Sequence, residues 1–258
     1  MNDLSASRGE PGRGFRFDPA ALLRRAGREW SLSVVETAEV TPRMRTVSFT
    51  GPDLAELDWR PGQDLVLGLP QADGEVARRH YTIRDVNKAA RRLDVDFVLH
   101  GDSPAGRWLA DARPGAVIEA RGPRGRTHIA AGAEQHLFLG DETAIPAIFA
   151  MTESLPPGAR AVALIEVEGP DETQSLACDA EVEVEWLFRR RPAGPSDLGL
   201  MALAARAPDP RGAHAYVLGE TSNVRAQRHH LLRLGFAREQ ITAEGYWRPG
   251  RIGGHDHV

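Results

Sequence analysis

With 258 residues the chain has room for one large domain or two of ordinary size, and its 41% apolar and 26% charged residues are the proportions of a soluble globular protein. A net charge of −4 argues against a nucleic-acid partner, and a single cysteine, Cys178, excludes an intrachain disulfide, a cysteine-ligated zinc finger and an iron–sulfur cluster held by this chain alone. No apolar run reaches membrane-spanning length, and residues 1–14 are polar and Gly/Arg-rich with no apolar signal stretch, so the expectation is a cytoplasmic protein without membrane insertion.

Residues 1–17, rich in glycine, arginine and small polar residues, read as a disordered tail. Asp18 and Pro19 have the types of an N-cap and a first helical turn, which predicts a short amphipathic helix through residue 26. From residue 30 to about 129 the pattern is β. Strands are predicted at 31–36, 44–49, 64–69, 81–84, 93–99 and 117–120, separated by Pro/Gly/Asp turns, with one helix around 104–110. Six short strands at this spacing predict a small closed antiparallel barrel. After residue 130 strands alternate with helices: strand 136–140, a helix to about 154, strands 161–167 and 181–188, helix 198–205, strand 215–218 and helix 222–234. That alternation predicts a parallel α/β sheet, and so a tail at 1–17 and two domains, 18–130 and 131–258.

The segment 79–84, Arg-His-Tyr-Thr-Ile-Arg, sits at the start of a β-prone run. Strand alternation puts Arg79, Tyr81 and Ile83 on one face and His80, Thr82 and Arg84 on the other. An aromatic plane beside a bidentate phosphate donor suits a flavin nucleotide, while an exposed hairpin edge with charged flanks is the plainer reading. Downstream, His100 and Gly101 lead through Ser103 and Pro104 into a helix start, which is either a phosphate-binding turn or an ordinary capped loop. The turn after strand 136–140 has one glycine, Gly140, and two acids, Asp141 and Glu142, which would repel a pyrophosphate; Thr143 would still stand near a ribose or nicotinamide. Gly219-Glu220-Thr221-Ser222 repeats strand, turn, helix, so that Gly140 and Gly219 face one crevice, and Glu220 and Ser222 either face a ligand or cap the helix. Near the C-terminus Tyr246, Trp247, Arg248 and Arg251 form an aromatic-basic run that either closes over a ligand or packs.

Taken in order, these segments resemble the siderophore-interacting protein family, the FAD-dependent ferric-siderophore reductases of the ferredoxin-reductase-like superfamily. The resemblance runs over residues 30–250. It rests on 79–84, on Asp96-Phe97-Val98-Leu99-His100-Gly101, on Pro104-Ala105-Gly106-Arg107-Trp108 with Pro114-Gly115, on 140–147 (Gly-Asp-Glu-Thr-Ala-Ile-Pro-Ala), on Gly219 to Ser222 and on 245–250 (Gly-Tyr-Trp-Arg-Pro-Gly).

The resemblance implies a six-stranded antiparallel FAD-binding barrel followed by a Rossmann-like NAD(P)H-binding domain. Arg79 would meet the FAD phosphates, Tyr81 would pack on the isoalloxazine and Thr82 would lie near its N5 edge, with His80, Arg84, Phe97 and Val98 around them. His100, Pro104, Ala105, Gly106 and Trp108 would hold the rest of the dinucleotide. Asp141, Thr143 and Ala144 would line the nicotinamide side, with Glu220 and Ser222 close by and Trp247 closing the site. Thr82 and Asp141 are the catalytic candidates.

Electrons would pass from NADH or NADPH through FAD to Fe(III) in a siderophore, with no iron ligand from the protein. Arg43, Arg60, Arg248 and Arg251 would attract an anionic ferric siderophore. Glu166 or Glu168 would bond a ribose 2′-OH and favour NADH, whereas the run Arg189-Arg190-Arg191 would accept a 2′-phosphate, and reduced ferredoxin is a third donor. A monomer is expected. A reductase for another acceptor and a non-enzymatic siderophore-binding carrier are the alternatives. Two departures stand out: the loop Ser103-Pro104-Ala105-Gly106 is one residue short of the family's phosphate loop, and Lys88 is the sole lysine where family members often place basic residues at the siderophore pocket.

Overall fold

The computed structural model describes residues 27–250 and a short strand, Asp256–His257; the tail at 1–17, the helix expected from Asp18, and Arg251 lie outside the described residues. The first half forms a seven-stranded antiparallel sheet. Its strands are β1 (Arg28–Thr41), β2 (Met44–Thr50), β3 (Asp64–Pro70), β4 (Val76–Thr82), β5 (Asp85–Asn87), β6 (Arg92–Val98) and β7 (Val117–Arg124), in the order β4-β3-β7-β1-β2-β6-β5. Helix α1 (Pro104–Asp111) lies between β6 and β7.

Alternate residues of these strands point inward and build the core: Leu32 and Val34 on β1, Leu65, Leu67 and Leu69 on β3, Leu93, Val95 and Phe97 on β6. Helix α1 plugs one end, with Trp108 against Phe49 (ring centroids 6.3 Å) and Phe97 (5.7 Å).

Six strands were expected and seven are present. The additional one, β5, has three residues, too few for an alternation to register. No ladder joins the two edge strands β4 and β5. The corner between them closes the barrel instead: Ile83 N–H donates to the Gln63 carbonyl (3.0 Å) and Arg84 N–H to that of Asp94 (2.9 Å). The strand expected at 81–84 begins at Val76 and stops at Thr82, so 79–82 ends β4 where it was expected to start one. Residues 76–78 are largely exposed on an edge strand and show no apolar alternation to announce them.

The second half is an α/β layer structure, with strand order β10-β9-β8-β11-β12-β13. It comprises β8 (Gln135–Asp141), α2 (Ile145–Glu153), β9 (Arg160–Val167), β10 (Glu181–Phe188), α3 (Leu198–Arg206), β11 (Ala213–Glu220), α4 (Thr221–Arg233), β12 (Ile241–Trp247) and β13 (Asp256–His257). The first five strands of that order pair in parallel, and β13 is antiparallel to β12. Apolar β8, β9 and β11 are sandwiched between α2 on one side and α3 and α4 on the other, as a parallel sheet requires. Strand β12 was not expected: Ile-Thr-Ala-Glu-Gly-Tyr-Trp has no clean period, because most of its residues are only half-buried.

The chain lays down β8, β9 and β10 outward in one direction and then returns to place β11 on the other side of β8. The carboxyl ends of β8 and β11 therefore flank the topological switch point, where α/β sheets bind ligands. Thr143 and Pro146, just past the end of β8, and Trp247, paired with Glu220 at the end of β11, face the barrel.

Candidate functional site

A cavity of about 590 Å³ lies between the barrel and the α/β sheet, within the ~300–1,000 Å³ range of cofactor sites. Its barrel wall is the end of β4, Arg79 to Thr82, with Val98, His100, Pro104 and Ala105; its opposite wall is Thr143, Pro146, Tyr246, Trp247 and Arg248. Residues singled out from the sequence thus meet here, among them Arg79, His80, Tyr81, Thr82, Val98, His100, Pro104, Ala105, Thr143, Trp247 and Arg248.

All four residues of Arg79 to Thr82 reach the cavity, so the two-faced expectation for this segment is corrected. β4 is a sheet edge and ends at Thr82, and the cavity wraps around that end. Ile83 turns into the barrel core. Arg84 turns the other way and is gripped by Glu153 at the end of α2 through two bonds of 2.6 Å, with Asp96 at 3.7 Å, so it joins the two halves and does not line the cavity.

Tyr81 is held from behind. Its ring lies 4.2 Å from that of the fully buried Phe97, which rests on Trp108. Phe97 and Trp108, expected to touch the cofactor, instead support the residue that faces the cavity. His80 Nδ1 is 2.8 Å from Asp64 Oδ2. Ser103 caps α1 by accepting the Gly106 N–H (3.0 Å), which occupies a donor expected for phosphate; a Cβ at Gly106 would stand 3.2 Å from that hydroxyl. The Arg107 guanidinium, which lines the cavity, returns to Asp102 (2.5 Å).

This donor set fits FAD. It offers an aromatic plane packed against Phe97, the side chains of Arg79 and Arg107 for phosphates, and a hydroxyl on the adjacent Thr82.

Across the cavity the arrangement centres on Asp141, buried at the end of β8. Its Oδ1 accepts the N–H (2.9 Å) and the hydroxyl of Thr143. Its Oδ2 accepts the Glu220 N–H (2.8 Å) and the Trp247 indole N–H (2.9 Å). Burial, assisted by Glu142, pushes this carboxyl up to about 6 against those hydrogen bonds. Gly219 is glycine because its φ is +120° and a Cβ there would lie 2.6 Å from Asp141 Oδ2.

Asp141 itself does not line the cavity, and neither does the fully buried Ala144. Glu220 and Ser222 do not line it either, since the Glu220 carboxylate caps α4, accepting the N–H groups of Ser222 (2.8 Å) and Asn223 (2.9 Å) and the Ser222 hydroxyl.

Of the groups expected to discriminate between donors, Glu166, Glu168 and Arg189 are held by partners within the chain, whereas Arg190 and Arg191 are exposed. Arg189 is bidentate to Glu142 (2.7 and 2.8 Å) and reaches Glu166 (3.4 Å), while Glu168 pairs with Arg43 (2.9 Å). Arg43 is therefore an inter-half ion pair, and Arg60 is exposed away from the cavity; of the four arginines expected to attract the substrate, Arg248 lines it.

Tyr246, read with Trp247 as part of a run that closes over a ligand or packs, lines the cavity. A side-chain hydrogen bond ties it to Thr82, and burial drives its phenol well above the ordinary range. Glu244, which accepts from the Thr127 hydroxyl (2.7 Å), and Asp64 also line the cavity without a local signal in the sequence.

Two family profiles match the chain: "Siderophore-interacting FAD-binding domain" over residues 66–127 and "Siderophore-interacting protein" over residues 133–250. An uncharacterised protein of Mycobacterium tuberculosis is 39% identical over 189 residues, and the ferric vibriobactin reductase of Vibrio cholerae is 33% identical over 179. Each alignment covers 67% of this chain and 65% of the relative, so the chain spans just under two thirds of the length of these curated relatives. The crystal structure of a siderophore utilization protein from T. fusca superposes with a TM-score of 0.80 at 33% identity, covering 88% of this chain and 95% of that one.

Proposed function

Since this chain belongs to the siderophore-interacting protein family, we propose that it is an FAD-dependent ferric-siderophore reductase drawing electrons from NADH or NADPH. One observation carries the reading: the aromatic plane of the barrel and the switch-point crevice of the α/β sheet open into the same cavity. Donor and acceptor chemistry therefore have one meeting place.

Bound FAD supplies the step from a two-electron nicotinamide donor to one-electron iron chemistry. The chain's residues do the rest. Arg79 and Arg107 would hold the FAD phosphates, Tyr81, supported by Phe97, would pack on its ring system, and Thr82, tied to Tyr246, would offer a hydroxyl beside it. Thr143 and Trp247, both anchored by Asp141, shape the opposite wall and exclude water. Fe(III) arrives as part of the substrate, and Arg248, with Arg60 outside the cavity, draws in an anionic chelate.

Among the described residues no helix is long and apolar enough to cross a membrane. We place a monomeric enzyme in the cytoplasm, where nicotinamide donors are available, with its domain boundary between β7 and β8. The paired acids at the β8–α2 turn favour a second reading, in which reduced ferredoxin is the donor.

The FAD-loaded protein is to be mixed with a ferric siderophore and a ferrous-specific chelator, with NADH, NADPH or reduced ferredoxin in turn. Fe(II) capture with at least one donor is expected. Siderophore binding without Fe(II) from any donor overturns the reductase reading and leaves a carrier.

A further inference from the structure

In dinucleotide-binding α/β sheets, glycines at the first strand–helix turn let a pyrophosphate settle on backbone N–H groups at the helix start. The β8–α2 turn has the same place in the topology, yet its Thr143 N–H is directed at a carboxylate from the same chain, and its Ala144 N–H at the Asp141 backbone carbonyl. Asp141 Oδ1 accepts the Thr143 N–H, and its Oδ2 accepts the Glu220 N–H at the start of α4 and the Trp247 indole N–H from β12. Three elements that a bound phosphate would bridge are bridged instead by one buried side chain. The space is taken as well as the donors: Gly219 approaches so closely that a Cβ would sit 2.6 Å from Oδ2.

We propose that Asp141 is an internal anion filling the phosphate position of the switch-point crevice, so that a nicotinamide donor reaches the cavity with its pyrophosphate held off the β8–α2 turn. Asp141 is thus a specificity-determining and positioning residue. It excludes phosphate from the turn by occupancy and like charge, and it sets Thr143 and Trp247 on the cavity wall. Arg189 cannot relieve the exclusion, since its guanidinium is already held by Glu142 and Glu166. This rests on the nicotinamide-donor reading above.

The test is the affinity of the FAD-loaded protein for ADP-ribose, which carries the pyrophosphate without the nicotinamide, measured by calorimetry. Wild type is expected to bind it weakly. Asp141→Gly, which vacates the position, is expected to bind about tenfold more tightly, and Asp141→Asn, which fills it without charge, about threefold more tightly. A residue with only a structural role would lower affinity when removed, so a gain is the discriminating result. Unchanged or weaker ADP-ribose binding in Asp141→Gly overturns the proposal; should that variant not fold, the same outcome in Asp141→Asn does so. A gain in ADP-ribose affinity beside a wild type that yields Fe(II) with neither NADH nor NADPH leaves the internal anion standing and removes the donor reading.

Discussion

Arg79 and Tyr81 act on the same proposed ligand by different physics, and the difference is measurable. The Arg79 guanidinium is only half-buried and packs into no core, so Arg79→Ala is expected to leave folding stability within about 0.5 kcal/mol. It removes a charge-assisted phosphate bond, so FAD affinity is expected to fall at least tenfold, as read by flavin fluorescence. Phe97 never reaches the cavity, yet Phe97→Ala is expected to cost about 3–5 kcal/mol in urea unfolding because it hollows the barrel core. The same change releases Tyr81, so whatever folds should also hold FAD less tightly. Equal FAD affinity in the folded Phe97→Ala protein would contradict the supporting role given to Phe97.

At the scale of elements, the β8–β11 ladder sets His136 directly beside His214, with the Tyr216 ring against both. Tyr216 OH is 3.3 Å from His136 Nδ1, Thr242 Oγ1 is 2.9 Å from His214 Nε2, and His128 adds charge repulsion. Burial lowers the His136 imidazole and takes His214 from 6.5 to about 4. Between those limits the unfolded chain binds more protons than the folded one, so stability is held above about pH 6.5 and lost as pH falls toward 4. A melting temperature that drops across this window is expected, and His214→Gln should flatten the drop. An identical pH profile in that variant would locate the acid sensitivity elsewhere.

For the whole molecule, the cavity exists only while the two halves stay docked, and polar pairs hold part of that junction. Of the two ion pairs Arg84 with Glu153 is more buried than Arg43 with Glu168, and the Thr41 hydroxyl donates to Glu172 (2.6 Å) beside them. A double-mutant cycle on Arg84→Ala and Glu153→Ala is expected to give a coupling of about 1 kcal/mol, reduced at high salt. Donor-to-iron turnover should fall further than FAD affinity does, because these residues fix the relation between the walls and leave the Tyr81 plane untouched. Equal losses in both would mean that Arg84 contacts the cofactor after all.

Alternating apolar residues made most barrel strands legible, and the strand–helix alternation after residue 130 made the parallel sheet legible, because both periodicities depend on neighbours a few positions away. The motifs that carry Arg79 to Thr82, Thr143 and Trp247 were legible for the same reason, each being a local run of distinctive types. β5 was too short to show a period, and half-buried β12 had none to show. Charged residues were legible as charges but not as bonds. Arg84 meets its partner 69 positions away, Arg43 meets Glu168 across 125, and Trp247 reaches Asp141 across 106. Glu220 is the contrary case, since its capping of Ser222 and Asn223 is local and was one of the two roles its position allowed. Sequence neighbours set which elements form and which chemistry each segment carries. Which arginine faces the cavity, and which is spent on a carboxylate from the other half, depends on where the chain returns after a long excursion, so the packing of the two sheets alone assigned those roles.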